Sequence, residues 1–256
     1  MLAIIGGSGL TRLSTLAVAH REVVRTPYGE PSSALVFGQL AGRDVVFMAR
    51  HGHGHTIPPH RVNYRANVWA LKQRGVDAIL AVASVGAISD GCRPGDLVLP
   101  HQLIDYTSGR EHTFYDGGDR QVVHVDFTRP YSEELRERCL AAAAEAKIEI
   151  HDGGVYGAVS GPRLETAAEI DRMERDGATL VGMTGMPEAA LARELGIAYA
   201  CIAVVVNPAA GRGESAQVVS IEGIARVLEK AISKVKILIT HVVQQYAPRD
   251  ARQETK

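Results

Sequence analysis

The chain has 256 residues, with 28 Lys and Arg against 29 Asp and Glu, long enough for one large domain with a substantial core and too evenly charged to present a basic surface to nucleic acid. Its longest uncharged apolar stretches, 78–88 and 197–206, fall short of the about 18 residues that a membrane span requires. Cys92, Cys139 and Cys201 form no CxxC spacing, and the N-terminus runs without a basic segment straight into "LAIIGGSGL", so a cytoplasmic protein is expected.

In chain order, short β-branched runs alternate with amphipathic segments. The strand-like runs are "LAIIGG", "ALVFGQL", "DVVFMAR", "AILAVAS", "DLVLPHQLID", "GVYGAVSG", "TLVGMT" and "AYACIAVVV". Apolar residues recurring at three and four predict helices over Val62 to Arg74, Ser132 to Glu145, Thr166 to Asp176, Pro187 to Leu195 and Ile221 to Gln245. The continuous apolar run from Ala78 to Val85 requires cover on both faces, which a central, largely parallel sheet flanked by helices supplies. A hairpin-like pair around "FGQLAGRDVVF" adds an antiparallel part. The expected fold is therefore α/β, a single domain over residues 1–246 with a mixed, mostly parallel sheet. The charged, unpatterned residues 247–256 are expected to form a flexible tail.

In open α/β sheets ligands gather beyond the strand ends, and several ends here carry suitable residues. "GGSGL", Gly6 to Leu10, fits either a tight turn or an anion-facing loop with Ser8 as a hydroxyl donor. In "ARHGHGHTIPPHRVNY", Arg50 can grip a phosphate bidentately and His51 can add a further bond. The imidazoles of His51, His53, His55 and His60 also admit a metal reading or plain exposure in a loop. Against metal, no Cys or acidic residue lies nearby, and structural zinc more often draws on two separated ligand pairs. "ASVGAISDGCRPGD" places Ser84 and Gly86 just past a buried strand, as a second anion-facing turn or a small-residue packing turn. In "SGPRLETAAEI", Glu165 either faces a site or complements a helix N-terminus. In "GMTGMPEAALA", Met183 and Thr184 fall at a strand-to-helix turn, where a methionine is ordinarily core.

Together "GGSGL", "TPYGEPSSAL", "RHGHGHTIPPHRVNYRANVWALK", "GPRLETAAE", "VGMTGMPEAALARELGIAYACIAVVVN" and "VSIEGIARVL" resemble the trimeric purine nucleoside phosphorylase and methylthioadenosine phosphorylase family, in register from Gly6 to about Leu228. The resemblance implies reversible phosphorolysis, with inorganic phosphate as co-substrate and neither cofactor nor metal. Carried over, Ser8, Arg50, His51 and Thr184 hold phosphate, and the Ala83–Ser84 turn adds a donor. Met183 meets the ribose. His124, in "VVHVDF", matches a position from which the neighbouring subunit closes the site, so a homotrimer is expected.

The chain departs from the methylthioadenosine members at the end of its last strand, where two Asp positions hold Asn207 and Ala209. Members that take 6-oxopurines have Asn at the first of these together with a Glu matching Glu165. An ionised Glu165 accepts from the N1–H of hypoxanthine but faces a lone pair on adenine, and the Asn207 amide can donate to N7 and O6; mispaired buried polar groups cost on the order of 10⁴-fold in selectivity. At the 5′ end, Ile221 stands where hydroxyl-accepting members place a His, so the site welcomes a methylthio group; a plain helix-core role fits Ile221 as well. Joining both ends, the expected substrate is 5′-methylthioinosine, cleaved to hypoxanthine and 5-methylthioribose 1-phosphate. An inosine/guanosine phosphorylase, a methylthioadenosine phosphorylase with an unusual base pocket, and a non-catalytic nucleoside-binding protein are the alternatives.

Overall fold

The computed structural model describes residues 1–118 and 121–247, so most of the expected tail lies outside the described residues. Strands β1 (Leu2–Gly6), β2 (Ala17–Glu22), β3 (Leu35–Leu40) and β4 (Arg43–Ala49) precede helix α1 (Tyr64–Gln73). β5 (Ala78–Ala87), β6 (Leu97–Leu99) and β7 (Gln102–Asp105) precede α2 (Glu133–Ala146). The remainder is β8 (His151–Asp152), β9 (Val155–Ala158), α3 (Ala167–Arg175), β10 (Leu180–Gly182), α4 (Gly185–Glu194), β11 (Ala198–Pro208) and α5 (Ile221–Gln245). This is the expected α/β fold with one mixed sheet.

The central strands are covered on both sides, as their unbroken apolar sequence requires. Along β5, Ile79, Ala81, Ala83 and Val85 enter one core with Val68 and Leu71 of α1 and Ala189 and Leu191 of α4. Ala78, Leu80 and Val82 enter the other, with Leu135 and Cys139 of α2 and Val235, Leu238 and Val242 of α5. β11 alternates the same way, Tyr199 and Cys201 on one face and Ala200 and Ile202 on the other, the two-residue period of a strand.

The pairing of β5 positions the site. Its first half, Ala78 to Ala81, pairs in parallel with β1, and its end, Gly86 and Ala87, pairs antiparallel with β10. β11 occupies the opposite edge along nearly the whole strand, with a bulge between Val205 and Asn207. Between its β1 and β10 partners, β5 therefore has a stretch of edge with no strand beside it, and the sheet forks there.

Several expectations are corrected. Ser84 and Gly86 lie inside β5 rather than in a turn past it, because β11 keeps pairing well beyond the end of β1. "DLVLPHQLID" is broken at Pro100 into β6 and β7, which join different partners; a proline cannot supply a ladder N–H. β2 and β8 are additional. α4 is assigned from Gly185, but Met186 is extended (φ −119°, ψ 141°), so regular helix geometry starts at Pro187 as expected.

Candidate active site

A cavity of about 660 Å³ opens at the fork of the sheet, a volume suited to a nucleoside-sized ligand. Ser8, Arg50, His51, Ser84, Thr184, Met183, Glu165, Asn207 and Ile221 all line it. His124 does not; it lies on the exposed segment 121–126. Of the other loop histidines, His55 joins the cavity wall while His53 and His60 do not, and among the described residues no group of three or more His, Cys, Asp and Glu is placed to hold a metal ion.

One end of the cavity is built around Arg50, just past β4, where its backbone N–H donates to Gly6 at 3.0 Å. The guanidinium is fully buried. Nε and Nη2 donate to the two carboxylate oxygens of Glu188 at 2.6 and 2.7 Å, and Nη1 donates to the Val82 carbonyl on the free edge of β5 at 2.9 Å. Burial opposes the Arg50 charge, but the Glu188 carboxylate more than offsets this and raises its pKa. Gly7 makes the approach possible: a Cβ there would stand 2.5 Å from the Val82 oxygen and 3.0 Å from Arg50 Nη1. By the strand period, the Ser84 N–H leaves β5 on the same edge as the Val82 carbonyl, so the N–H expected at a turn lies on a strand edge instead.

The His51 ring is fixed by its loop. Nδ1 lies 2.8 Å from the Ile57 carbonyl, and since a carbonyl only accepts, Nδ1 carries the hydrogen. Burial, then the neighbouring Arg50 charge, push the imidazole down to about 4, so His51 is neutral near pH 7 and its Nε2 is an acceptor. His55 lies against it, ring centroids 4.5 Å apart, and burial lowers its pKa as well. Thr184 holds the N-cap position of α4 without a side-chain capping bond, and its backbone N–H donates to Tyr156 Oη at 3.3 Å.

Glu165 and Asn207 also line the cavity. The helix-terminus role open to Glu165 is taken by Glu169, which forms a capping box with Thr166 at the start of α3 and is gripped by Arg163. Glu165 lies before that cap, on the cavity wall, and burial raises its pKa from the ordinary 4.5. Asn207 follows the bulge in β11. Its Nδ2 donates to the Pro208 carbonyl at 2.6 Å, which leaves one amide hydrogen rather than two for a ligand. Ala209 is buried beside Ile88, Ile170, Met173, Ala178 and Val181 in an apolar cluster. Met183 packs under Gly161 so closely that a Cβ there would fall 2.4 Å from its sulfur. Ile221 and Ile224, on the first turn of α5, line the cavity, Ile221 from an exposed position.

Sequence reasoning missed Glu188, Tyr199 and the cavity role of His55. Glu188 is fully buried and also accepts from Tyr199 Oη at 2.8 Å. A carboxylate amid the apolar residues of "GMPEAALA" was a visible signal, since buried charges are paired, but its partner lies 138 residues away.

Comparison with known proteins agrees with this geometry. Residues 1–244 match the phosphorylase superfamily. A probable S-methyl-5′-thioinosine phosphorylase of Pseudomonas syringae is 54% identical over 241 residues, 94% of this chain and 97% of that protein. A probable 6-oxopurine nucleoside phosphorylase of Thermococcus kodakarensis is 44% identical over 256 residues, 98% of this chain and 94% of that one. Among solved structures, methylthioadenosine phosphorylase from Schistosoma mansoni in complex with adenine superposes with a TM-score of 0.91 at 34% identity, over 95% of this chain and 90% of the other. The chain belongs to the phosphorylase superfamily.

Proposed function

We propose that this protein cleaves S-methyl-5′-thioinosine with inorganic phosphate, releasing hypoxanthine and 5-methylthioribose 1-phosphate, a purine salvage reaction. The observation that carries the reading is a single cavity lined by Arg50, His51 and Thr184, by Glu165 and Asn207, and by Ile221 and Ile224. Relatives of both the methylthioinosine and the 6-oxopurine kind support it.

In this reading a phosphate oxygen forms the new bond to the anomeric carbon as the bond to N9 breaks and its electron pair passes to the purine. Cationic character on the ribose is met by phosphate held beneath it, and negative charge on the purine is met by the remaining Asn207 N–H at N7, both interactions strengthening in the transition state. Arg50, Ser8, Thr184 and the Ser84 N–H donate to phosphate. Neutral His51 accepts from the hydrogen that monohydrogen phosphate carries. Ionised Glu165 accepts from N1–H of the 6-oxopurine, and Met183 lies against the sugar without competing for its hydroxyls. Ile221 and Ile224 receive the methylthio group, and burying one methyl against them contributes about 0.8 kcal/mol.

Inosine phosphorolysis is the second reading, favoured by the 6-oxopurine relative and opposed by the apolar pair on α5. A homotrimer is proposed as the assembly, with His124 reaching a neighbour's site; exposed Val122, Val123 and Val125 beside it give that segment an apolar surface to bury, and a monomeric mass in sedimentation would count against it. The cytoplasm is the proposed compartment, in keeping with three free cysteines. The direct test of the reaction is whether hypoxanthine release depends on added phosphate and yields the sugar phosphate. Release that proceeds equally well without phosphate contradicts it.

A further inference from the structure

We infer that Glu188 is a positioning residue of the phosphate cradle, holding the far edge of the Arg50 guanidinium so that its remaining hydrogens face the bound oxyanion. This rests on the phosphate role proposed above for Arg50. A guanidinium has five N–H donors; two go to Glu188 and one to Val82, which leaves one on each terminal nitrogen of a side chain that lines the cavity. The carboxylate that fixes this fork is itself fixed, by Tyr199 Oη at 2.8 Å and by a wholly buried setting.

The three members come from separate elements. Arg50 follows β4, Glu188 sits in the first regular turn of α4, and Tyr199 lies near the start of β11. Thr184 is four residues before Glu188 across the extended Met186, so the ion pair anchors the segment that leads out of a second phosphate-facing group. Paired Arg50 and Glu188 cancel in formal charge, and His51 is neutral. The cradle thus works through directed donors more than through net positive charge, which makes the orientation of Arg50 decisive. The opposing possibility is that Glu188 occupies Arg50 as a competitor that phosphate must displace. Two predictions of opposite sign separate them.

The experiment measures KM for phosphate at saturating nucleoside and KM for nucleoside at saturating phosphate in the wild type, Arg50→Ala, Glu188→Gln and Tyr199→Phe, with folding checked by circular dichroism. Glu188→Gln keeps the shape and one acceptor but loses the charge and the fork, and it should raise the phosphate KM by about tenfold or more while the nucleoside KM stays within about twofold. Tyr199→Phe removes only one bond to Glu188 and should raise the phosphate KM by about two- to fivefold. A phosphate KM that is unchanged or lower in folded Glu188→Gln, or both KM values rising together, overturns the inference; where that variant does not fold, Tyr199→Phe decides by the same criterion. If Arg50→Ala itself leaves the phosphate KM unchanged, it is the phosphate reading of Arg50 that fails, a result distinguishable from failure of Glu188 alone.

Discussion

Glu165 and Asn207 both line the cavity, and each can be altered there with little change of shape. Asn207→Asp replaces the amide hydrogen left for N7 with a lone pair. It should lower kcat/KM on 6-oxopurine nucleosides by about 10²-fold or more, the scale of removing one donor aimed at developing charge; an unchanged value would remove Asn207 from the base site. The same substitution need not confer good turnover of adenine nucleosides, because Glu165 still faces the adenine N1 lone pair. Asn207 stands out in the sequence because an amide ends an apolar strand, whereas Glu165 stays open between a site and a helix terminus, since the capping box of Thr166 and Glu169 that fills the terminus shows only in the structure. The Asn207 bond to Pro208 could not be read from sequence, since it depends on a bulge in the pairing of β11 with β5.

At the level of elements, the site exists because β5 outruns β1. Gly7 lies at that junction, and its missing side chain admits both Arg50 and the Val82 carbonyl. Gly7→Ala would place a methyl 2.5 Å from a backbone oxygen, which only a shift of the loop or of Arg50 can relieve. We expect a raised phosphate KM and a loss of stability of about 1–3 kcal/mol, as for overpacking elsewhere, read from phosphate titrations and denaturant unfolding; wild-type values in both would show that close packing at Gly7 does not hold Arg50 in place. The five helices expected from sequence all form among the described residues, since each has apolar residues at three and four. β2 was not legible: five of its six residues are exposed at the sheet's edge, so burial imposes no pattern on its sequence. β8 has only two residues. The end of β5 was misplaced because Ser and Gly signal a turn locally, whereas the long β11 partner holds them in the ladder.

For the whole molecule, the alternation of strands and helices announced the architecture, while the ion pair at its centre joins residues that are distant in sequence. That pairing comes from the fold, and no spacing encodes it. Burial of His51 also has a global consequence. With a folded pKa of about 4 against 6.5, the unfolded chain binds the His51 proton between those values and the folded chain does not, so stability is full above pH 6.5 and falls as the pH drops toward 4. His55, lowered in the same direction, adds to the slope, and Glu165, raised by burial, opposes it. Denaturant unfolding at a series of pH values should show a steeper decline from pH 6.5 to 4.5 in the wild type than in His51→Gln; equal slopes would mean that His51 does not carry this linkage.

The most direct measurement of the central claim compares kcat/KM on 5′-methylthioinosine, 5′-methylthioadenosine and inosine at saturating phosphate. Recognition of the lactam edge by Glu165 and Asn207, with Ile221 and Ile224 at the 5′ end, predicts methylthioinosine first, inosine lower by about 10- to 200-fold for one apolar contact, and methylthioadenosine lower by about 10⁴-fold for the mispaired base. Methylthioadenosine as the preferred substrate would contradict the base assignment, and inosine as the preferred substrate would contradict the role given to the isoleucines.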